Sequence, residues 1–270
     1  MNKKNIGLIG CGAMGSAMAK GMVEKDGVDP GSVYLYDINK ARRDVLAGEI
    51  KVNSAENLAE LIDHCQHVFI AVKPQDIEGL LYSIKDIVKA DQLFSSIAAG
   101  ITISFIESCL PQGSRVVRLM PNTPCLLGEG TIAISIGENV STEELEEVEE
   151  LLKPLGLTIR IPEDLMDAAT GLSGTGPAYV FLFIETMIDA GVTVGIRRDV
   201  ATEMVIQNVI GSARMLRENT KHPAELRNTV TSPAGTTASA MQILEEFGFR
   251  SCLLKAVIEA TRRAEELRRG

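Results

Sequence analysis

The stretch Asn5-Ile6-Gly7-Leu8-Ile9-Gly10-Cys11-Gly12-Ala13-Met14-Gly15 decides the fold class. Its first part, Asn5 to Gly10, is a short apolar run with the length of a buried strand. Its second part spells G-x-G-x-x-G and opens the helical stretch Ala13 to Lys25. Between a strand and a helix, that pattern reads as a turn that cradles a dinucleotide. Gly10 permits the tight turn, Gly12 lets a pyrophosphate approach the backbone, and Gly15 lets the helix pack on the sheet. Cys11, Ala13 and Met14 complete the loop and are expected among the cofactor-binding residues.

The alternation of strand and helix continues outward from this loop. Ser32 to Asp37 reads as a second strand and Lys40 to Ala47 as a helix. His67 to Val72 is a continuous apolar run, as a strand covered on both faces should be, and Gln92 to Ala98 and Ser114 to Met120 repeat its character. Helical segments near Asn57–Cys65, Ile77–Val88 and Ser104–Leu110 separate them. This predicts an α/β fold with a doubly wound parallel sheet. Two weaker strands follow, Thr131–Ile136 and Leu157–Arg160, with a glutamate-rich helix between them. Thr142 is read as its N-cap and the glutamates as a solvated face. After Pro162 only helical periodicity remains. The chain therefore divides into a sheet domain, residues 1–162, and an all-helical domain, residues 163–270. The long apolar helices of the second would expose much apolar surface alone, which predicts a homodimer.

Ligands of doubly wound sheets bind at the carboxyl ends of the strands. Asp37 ends the second strand, where a carboxylate accepts hydrogen bonds from ribose hydroxyls and repels a 2′-phosphate. The reading leans to NADH, with NADPH tolerated because Lys40, Arg42 and Arg43 could hold a phosphate. A helix N-cap is the alternative role for Asp37. Ala71-Val72-Lys73-Pro74, Ala98-Ala99-Gly100 and Met120-Pro121-Asn122-Thr123-Pro124 close later strands and are expected to line the same groove. Lys73 precedes a proline and is expected to be extended. Asn122 and Thr123 can hydrogen-bond a carboxamide or a ribose.

Near the far end, Val230-Thr231-Ser232-Pro233-Ala234-Gly235-Thr236-Thr237 leads into the apolar run Ala238 to Phe247. Free N–H groups at a helix start, with the helix dipole, attract a small anion such as a carboxylate. Ordinary helix capping is the alternative for Ser232, Thr236 and Thr237. Gly171-Leu172-Ser173-Gly174-Thr175-Gly176-Pro177-Ala178-Tyr179 reads either as a helix break or as a place of close backbone approach.

Composition sets the outer limits. The net charge of −9, from 27 basic and 36 acidic side chains in 270 residues, argues against nucleic-acid binding. Five cysteines without a C-x-x-C pair point to a reduced, cytoplasmic protein. Neither Cys11 nor Cys125 has a neighbour in sequence that marks it as a nucleophile. His64 and His67 could share a helix face, but nothing completes a metal site, and none is expected. The helical run Ala178 to Val194 carries Glu185 and Asp189 and is too short to span a membrane.

Taken in order, the loop from Gly10, Ala71 to Pro74, Met120 to Pro124, Gly171 to Tyr179 and Val230 to Thr237 resemble the 1-pyrroline-5-carboxylate reductases, which catalyse the last step of proline biosynthesis. The resemblance runs nearly end to end. It implies a Rossmann-type domain followed by a helical dimerisation domain, with the active site where they meet. It implies reduction of 1-pyrroline-5-carboxylate to L-proline by hydride from NADPH or NADH, with both imino acids as ligands. It also implies homodimers, which in several members assemble into decamers as pentamers of dimers. The substrate carboxylate would meet the N–H groups of Gly235 and Thr236 and the hydroxyl of Thr237, with Val230 and Ser232 in the same binding loop. Ser173 would relay a proton. Asn57 matches, with an offset of one residue, an asparagine that contacts the cofactor in relatives. Many members have a neutral or serine-containing turn where this chain has Asp37. Two other readings exist. 3-Hydroxyacid dehydrogenases share the opening but place a catalytic lysine on the helix after the sheet, and this chain has no lysine between Lys153 and Lys221. A non-catalytic nucleotide-sensing paralogue is disfavoured by the intact loop from Ser232 to Thr237.

Overall fold

The computed structural model describes residues 4–24 and 28–268. In chain order the elements are β1 (Ile6–Ile9), α1 (Ala13–Glu24), β2 (Val33–Tyr36), α2 (Lys40–Ile50), β3 (Asn53–Ser54), α3 (Leu58–His64), β4 (His67–Ile70), α4 (Ile77–Ile84), β5 (Leu93–Ser96), α5 (Ile103–Cys109), β6 (Arg115–Pro121), β7 (Gly130–Ile136), α6 (Thr142–Leu152), β8 (Gly156–Arg160), α7 (Met166–Ala169), α8 (Gly176–Thr193), α9 (Arg198–Glu218), α10 (Pro223–Thr229), α11 (Thr236–Glu246) and α12 (Phe249–Leu267). Lys25, the expected end of the first helix, lies outside the described residues. No strand follows β8 among them.

The sheet order is β3-β2-β1-β4-β5-β6-β7-β8. Every pairing from β3 to β6 is parallel, so the order reverses between β1 and β4, and the glycine-rich loop emerges at that switch point. The sheet departs from the expected all-parallel form at one place: β7 runs antiparallel to β6. The reason is length. A parallel neighbour needs a crossover of about a dozen residues or more, and the link from Pro121 to Gly130 is too short for one. Helix α6 then supplies a full crossover, and β8 pairs parallel to β7. Apolar layers cover both faces of the sheet. Leu8, Leu35, Phe69 and Val117 face one, with Met18 and Met22 of α1, while Ile9, Val68, Ile70 and Phe94 face the other, with Leu61 and Leu81. Each strand thus splits its side chains between two dry layers, which is why the sequence runs are continuous rather than alternating.

Two local expectations fail for physical reasons. Ser141, not Thr142, caps α6: its Oγ accepts from the Glu144 N–H at 3.2 Å, and the Glu144 carboxylate accepts from the Ser141 N–H at 3.0 Å. Thr142 has Leu145 three residues on and cannot close that reciprocal box. The glutamates of α6 are also less idle than a solvated face, because Glu144 pairs with Arg115, Glu147 with Lys4 and Glu149 with Arg160. His64 and His67 do not share a helix. His64 ends α3 and stacks on Tyr34, while His67 opens β4, 4% exposed, with Nε2 2.8 Å from Ser95 Oγ.

Burial pushes the His67 pKa down from 6.5 to about 3, with the Lys4 charge adding to the effect. The unfolded imidazole takes up a proton below its ordinary pKa and the folded one does not. This contribution is therefore complete above pH 6.5 and is lost as pH falls from there toward 3. Between pH 7 and 5 it costs about 2 kcal/mol of stability. Urea melts of wild type and His67→Gln at the two pH values should differ in their pH slope by that amount. Parallel slopes would mean that the ring is not held neutral.

The chain forms two compact units. One runs to Thr175 and takes in α12 from Glu259 onward, and the other spans Gly176–Ile258. The first unit extends past Pro162 because α7 is anchored to the sheet. Arg118 of β6, 4% exposed, reaches Glu163 Oε1 at 3.0 Å and Asp167 Oδ1 at 3.7 Å, and Arg268 reaches Asp167 Oδ2 at 3.1 Å. Glu163 also accepts from the Ile103 N–H at the start of α5, at 2.7 Å. In the second unit, α8 and α9 form a hairpin turned at Gly195, whose φ of +98° only glycine adopts freely. Ala201 and Val205 are its buried apolar residues, whereas Phe181 (62%), Leu182 (64%) and Phe247 (80%) are open to solvent. Apolar exposure on that scale marks an interaction surface. No helix among the described residues is long and apolar enough to cross a membrane.

Candidate functional site

The three glycines of the opening loop are needed for three different reasons. Gly10 has φ +104°, and a Cβ there would lie 2.5 Å from the Ala71 carbonyl oxygen. A Cβ on Gly15 would lie 2.0 Å from the Gly10 carbonyl oxygen, so this glycine sets how closely α1 approaches β1. A Cβ on Gly12 would meet nothing within 4 Å. The fold thus has no need of a glycine there, and the free space faces whatever the loop binds. The Gly12 carbonyl accepts the Ser16 N–H at 2.8 Å, while the N–H groups of Ala13, Met14 and Gly15 have no partner among the described residues. Unpaired donors at a helix start, beside open space, fit the pyrophosphate of a dinucleotide.

Asp37 is tied to this loop. It is 8% exposed, and its two oxygens accept from the Cys11 N–H and the Asn39 N–H, each at 2.7 Å. The N-cap of α2 is Asn39, so the capping alternative for Asp37 does not hold. Of the three basic side chains beyond β2, Arg43 turns inward, 2% exposed, and spends its guanidinium on Asp44, Glu56 and the Ala55 carbonyl. Lys40 pairs with Glu56 at 3.3 Å. Arg42 alone of the three stands beside Asp37, with Nη1 3.8 Å from Oδ2. Burial, with help from the Asp37 charge, pushes the Cys11 thiol up to about 12, and burial raises Cys125 as well. Neither is a thiolate nucleophile at neutral pH.

The other expected residues of this unit lie at the carboxyl ends of their strands. Lys73 is extended (φ −67°, ψ 149°) and exposed, as its proline neighbour requires. Ala71 and Val72 flank the Gly10 turn, Ala71 donating its N–H to Ile9 at 2.8 Å. Ala98 and Ala99 lead into Gly100, whose φ is +72° and whose Cβ position lies 2.8 Å from the Leu267 carbonyl oxygen of α12. Asn57 is exposed and caps α3, accepting the Glu60 N–H at 2.9 Å. Thr123 opens a short 3-10 turn. Asn122 is engaged at both ends of its amide: Oδ1 accepts the Thr131 N–H at 2.9 Å, and Nδ2 donates toward the Ser173 carbonyl oxygen at 3.2 Å and Oγ at 3.4 Å. Sequence reasoning missed that link, which spans 51 residues.

Ser173 sits in an unusual turn. Residues Thr170–Gly174 form one π-helical turn between α7 and α8, closed by the Thr175 N–H on the Thr170 carbonyl at 2.9 Å. The helix widens here rather than breaks. Such single turns carry an inserted residue and recur at functional sites. Gly171 allows close approach to another helix: a Cβ there would lie 2.8 Å from the Thr261 nitrogen of α12.

In the second unit, Gly235 is the N-cap of α11, and no side chain caps the helix. Helix capping therefore does not account for Ser232, Thr236 or Thr237. The N–H groups of Thr236, Thr237 and Ala238 have no partner among the described residues, while Gly235 donates its N–H to the Ser232 carbonyl at 3.1 Å. Ala234 is held at φ +57°, a left-handed conformation costing about 1 kcal/mol in a residue with a Cβ. Backbone strain of this kind gathers at functional loops. Val230 is 64% exposed at the end of α10.

Comparison with known proteins accounts for the two halves together. Residues 163–267 match the family model for pyrroline-5-carboxylate reductase dimerisation, and residues 5–100 match that of coenzyme F420-dependent NADP oxidoreductases. The pyrroline-5-carboxylate reductase of Methanosarcina acetivorans is 38% identical over 267 residues, 99% of either chain. The chain belongs to the pyrroline-5-carboxylate reductase family. The solved reductase of Coxiella burnetii superposes with a TM-score of 0.94 at 32% identity over 100% of both chains. That of Plasmodium falciparum, with NADP bound, gives 0.89 at 32% identity over 99% of both. Members are NAD(P)H-dependent oxidoreductases. The helical half corresponds to the family's dimerisation region, in keeping with a homo-oligomer and with the apolar surface of α8 and α11.

Proposed function

We propose that this chain reduces 1-pyrroline-5-carboxylate to L-proline with NAD(P)H. The observation that carries this reading is the uncapped start of α11, whose free N–H groups suit a small anion, in a chain that also carries an open glycine-rich loop. When bound, reduced nicotinamide supplies the hydride for C5 of the imine ring. The protein supplies position and charge. Gly10, Cys11, Gly12, Ala13, Met14 and Gly15 hold the pyrophosphate. Asp37 and Asn57 lie toward the adenosine, and Ala71 to Pro74, Ala98 to Gly100, Asn122 and Thr123 border the rest of the cofactor. The Thr236 N–H and the Thr237 hydroxyl grip the substrate carboxylate, with Val230, Ser232 and Gly235 bordering it; the Gly235 N–H, expected as a second donor, is instead given to the Ser232 carbonyl. Ser173 passes a proton to the ring nitrogen and recovers one from solvent.

The decisive experiment follows the reduced-nicotinamide absorbance on addition of the five-membered imine. Steady loss is expected. Dinucleotide binding without turnover would instead favour a sensing role. Thr237→Ala is expected to raise KM for the imine about tenfold, with KM for the cofactor nearly unchanged. An unaltered substrate KM would remove Thr237 from the carboxylate site.

NADH is the proposed preference, since a buried carboxylate at the end of β2 repels a 2′-phosphate. Asp37→Ser frees Arg42 and is expected to raise the NADPH-to-NADH ratio of kcat/KM about tenfold. The ratio is the right measure, because loss of the Cys11 and Asn39 bonds weakens binding of both cofactors alike. A constant ratio would mean that Asp37 does not face the ribose.

The working division is the one at Pro162, with the dimerisation region beginning at Glu163, and the working assembly is a dimer that builds a decamer. The apolar surface of α8 and α11 supports the dimer. The free thiols, with Cys11, Cys65, Cys109 and Cys125 buried, support action in the reducing cytoplasm.

A further inference from the structure

Asn122 stands at the carboxyl end of β6, among residues expected to touch the cofactor, yet both ends of its amide are committed within the protein. The orientation of the amide is fixed. The Thr131 N–H can only donate, so the atom it meets is Oδ1. The Ser173 carbonyl can only accept, so the atom facing it is Nδ2. The same Nδ2 reaches Ser173 Oγ. A hydroxyl that accepts from an amide has its own proton left to give, and the Ser173 O–H has no acceptor among the described residues. The turn that carries it is braced on three sides: by the Thr175 N–H on the Thr170 carbonyl, by Gly171 against Thr261, and by Gly174, whose Cβ position lies 2.7 Å from Met120 Cε. A π turn, a doubly committed amide and a hydroxyl with a spare proton thus meet at the end of one parallel strand.

We infer that Asn122 is a positioning residue for Ser173, holding the serine hydroxyl as a hydrogen-bond donor toward the bound imino acid. The inference deepens the proposed reduction and rests on it. Asn122 borders the cofactor groove, but with both ends of its amide committed within the protein it acts through the serine. No bond to Asn122 forms or breaks. Its amide N–H accounts for one lone pair of Oγ, so the hydroxyl proton points elsewhere.

The test uses Asn122→Asp, Ser173→Ala and the double variant in the full chain. Aspartate keeps an oxygen for the Thr131 N–H but offers the serine an acceptor in place of a donor, which turns the hydroxyl proton inward. Asn122→Asp is therefore expected to lower kcat about 30-fold, the scale of a misplaced catalytic group. Its melting temperature stays near wild type, and NAD(P)H affinity, read by nucleotide fluorescence without substrate, changes by less than about threefold. Ser173→Ala is expected to lose kcat to a similar extent, and the double variant to be no slower than the slower single one. A weakened NAD(P)H dissociation constant with kcat retained at saturation would make Asn122 a direct cofactor contact and overturn the inference. Multiplying losses in the double variant would overturn it too, because they would show independent roles. Should Asn122→Asp fail to fold, Asn122→Ser serves the same cycle. A wild-type chain that binds NAD(P)H but never oxidises it would remove the proposed reduction itself, and the inference with it.

Discussion

Gly12→Val is expected to weaken NAD(P)H binding by two to three powers of ten, about 3–4 kcal/mol, while the melting temperature shifts by no more than about 3 °C. The contrast follows from where the Cβ would go. At Gly12 it meets nothing within 4 Å, and the backbone there does not have a left-handed φ. The folded protein has room for the valine. The pyrophosphate does not, because it must approach the loop backbone closely enough to take up the N–H groups that α1 leaves unpaired. Fluorescence titration of the free chain with NADH and NADPH, beside a thermal melt, separates the two effects. Gly15→Ala is the control of opposite character, since its Cβ would lie 2.0 Å from the Gly10 carbonyl oxygen and must disturb the fold itself. A Gly12→Val protein that binds both dinucleotides normally would show that the open space serves no ligand.

Arg118→Met is expected to cost about 3–5 kcal/mol of stability. The guanidinium lies in the sheet at 4% exposure, between Glu163 and Asp167, and Asp167 is itself only 3% exposed. Removing the cation leaves a buried carboxylate with one remaining ion-pair partner, Arg268. The loss is a penalty for the stranded charge rather than a measure of the ion pair. Accordingly, Arg118→Met combined with Asp167→Leu and Glu163→Gln should recover most of the lost stability, glutamine keeping an acceptor for the Ile103 N–H. Urea denaturation of the single and triple variants gives the comparison. Equal destabilisation in both would mean that packing, not charge, governs the site. Asp167 lies three residues before the π turn, so the single variant should also lower kcat more than its stability loss explains.

What could be read from the chain alone was what is local. The glycine-rich loop declares itself because strand, turn and helix start occupy one short stretch, and Gly10 and Gly15 answer constraints set within that stretch or by the neighbouring backbone at Ala71. The parallel strands were visible because their burial on both faces leaves unbroken apolar runs. What stayed hidden depends on partners far along the chain. Asn122 reads as a ligand-binding asparagine until Ser173 arrives beside it. Arg43 reads as a candidate phosphate holder beside Arg42, yet helix periodicity turns one inward and leaves the other out. The short strand β3, two residues long, is too brief for any periodicity to reveal. The π turn has no sequence signature distinct from a helix break, since the same glycines serve either outcome. The loop before α11 is legible as a helix start, but Ser and Thr before an apolar run promise caps, and only the backbone reveals that Gly235 holds the cap position without one.

The last helix begins in one compact unit and ends in the other. Its closing turns lie against Gly100, Gly171 and Asp167, all of which leave the ribosome long before it does. A nascent chain halted at Ile258 would hold a finished set of strands with an unclosed flank. The first unit is thus completed only by chain that follows the whole of the second, and the polypeptide behind the serine turn gains its final support only once that segment has been made.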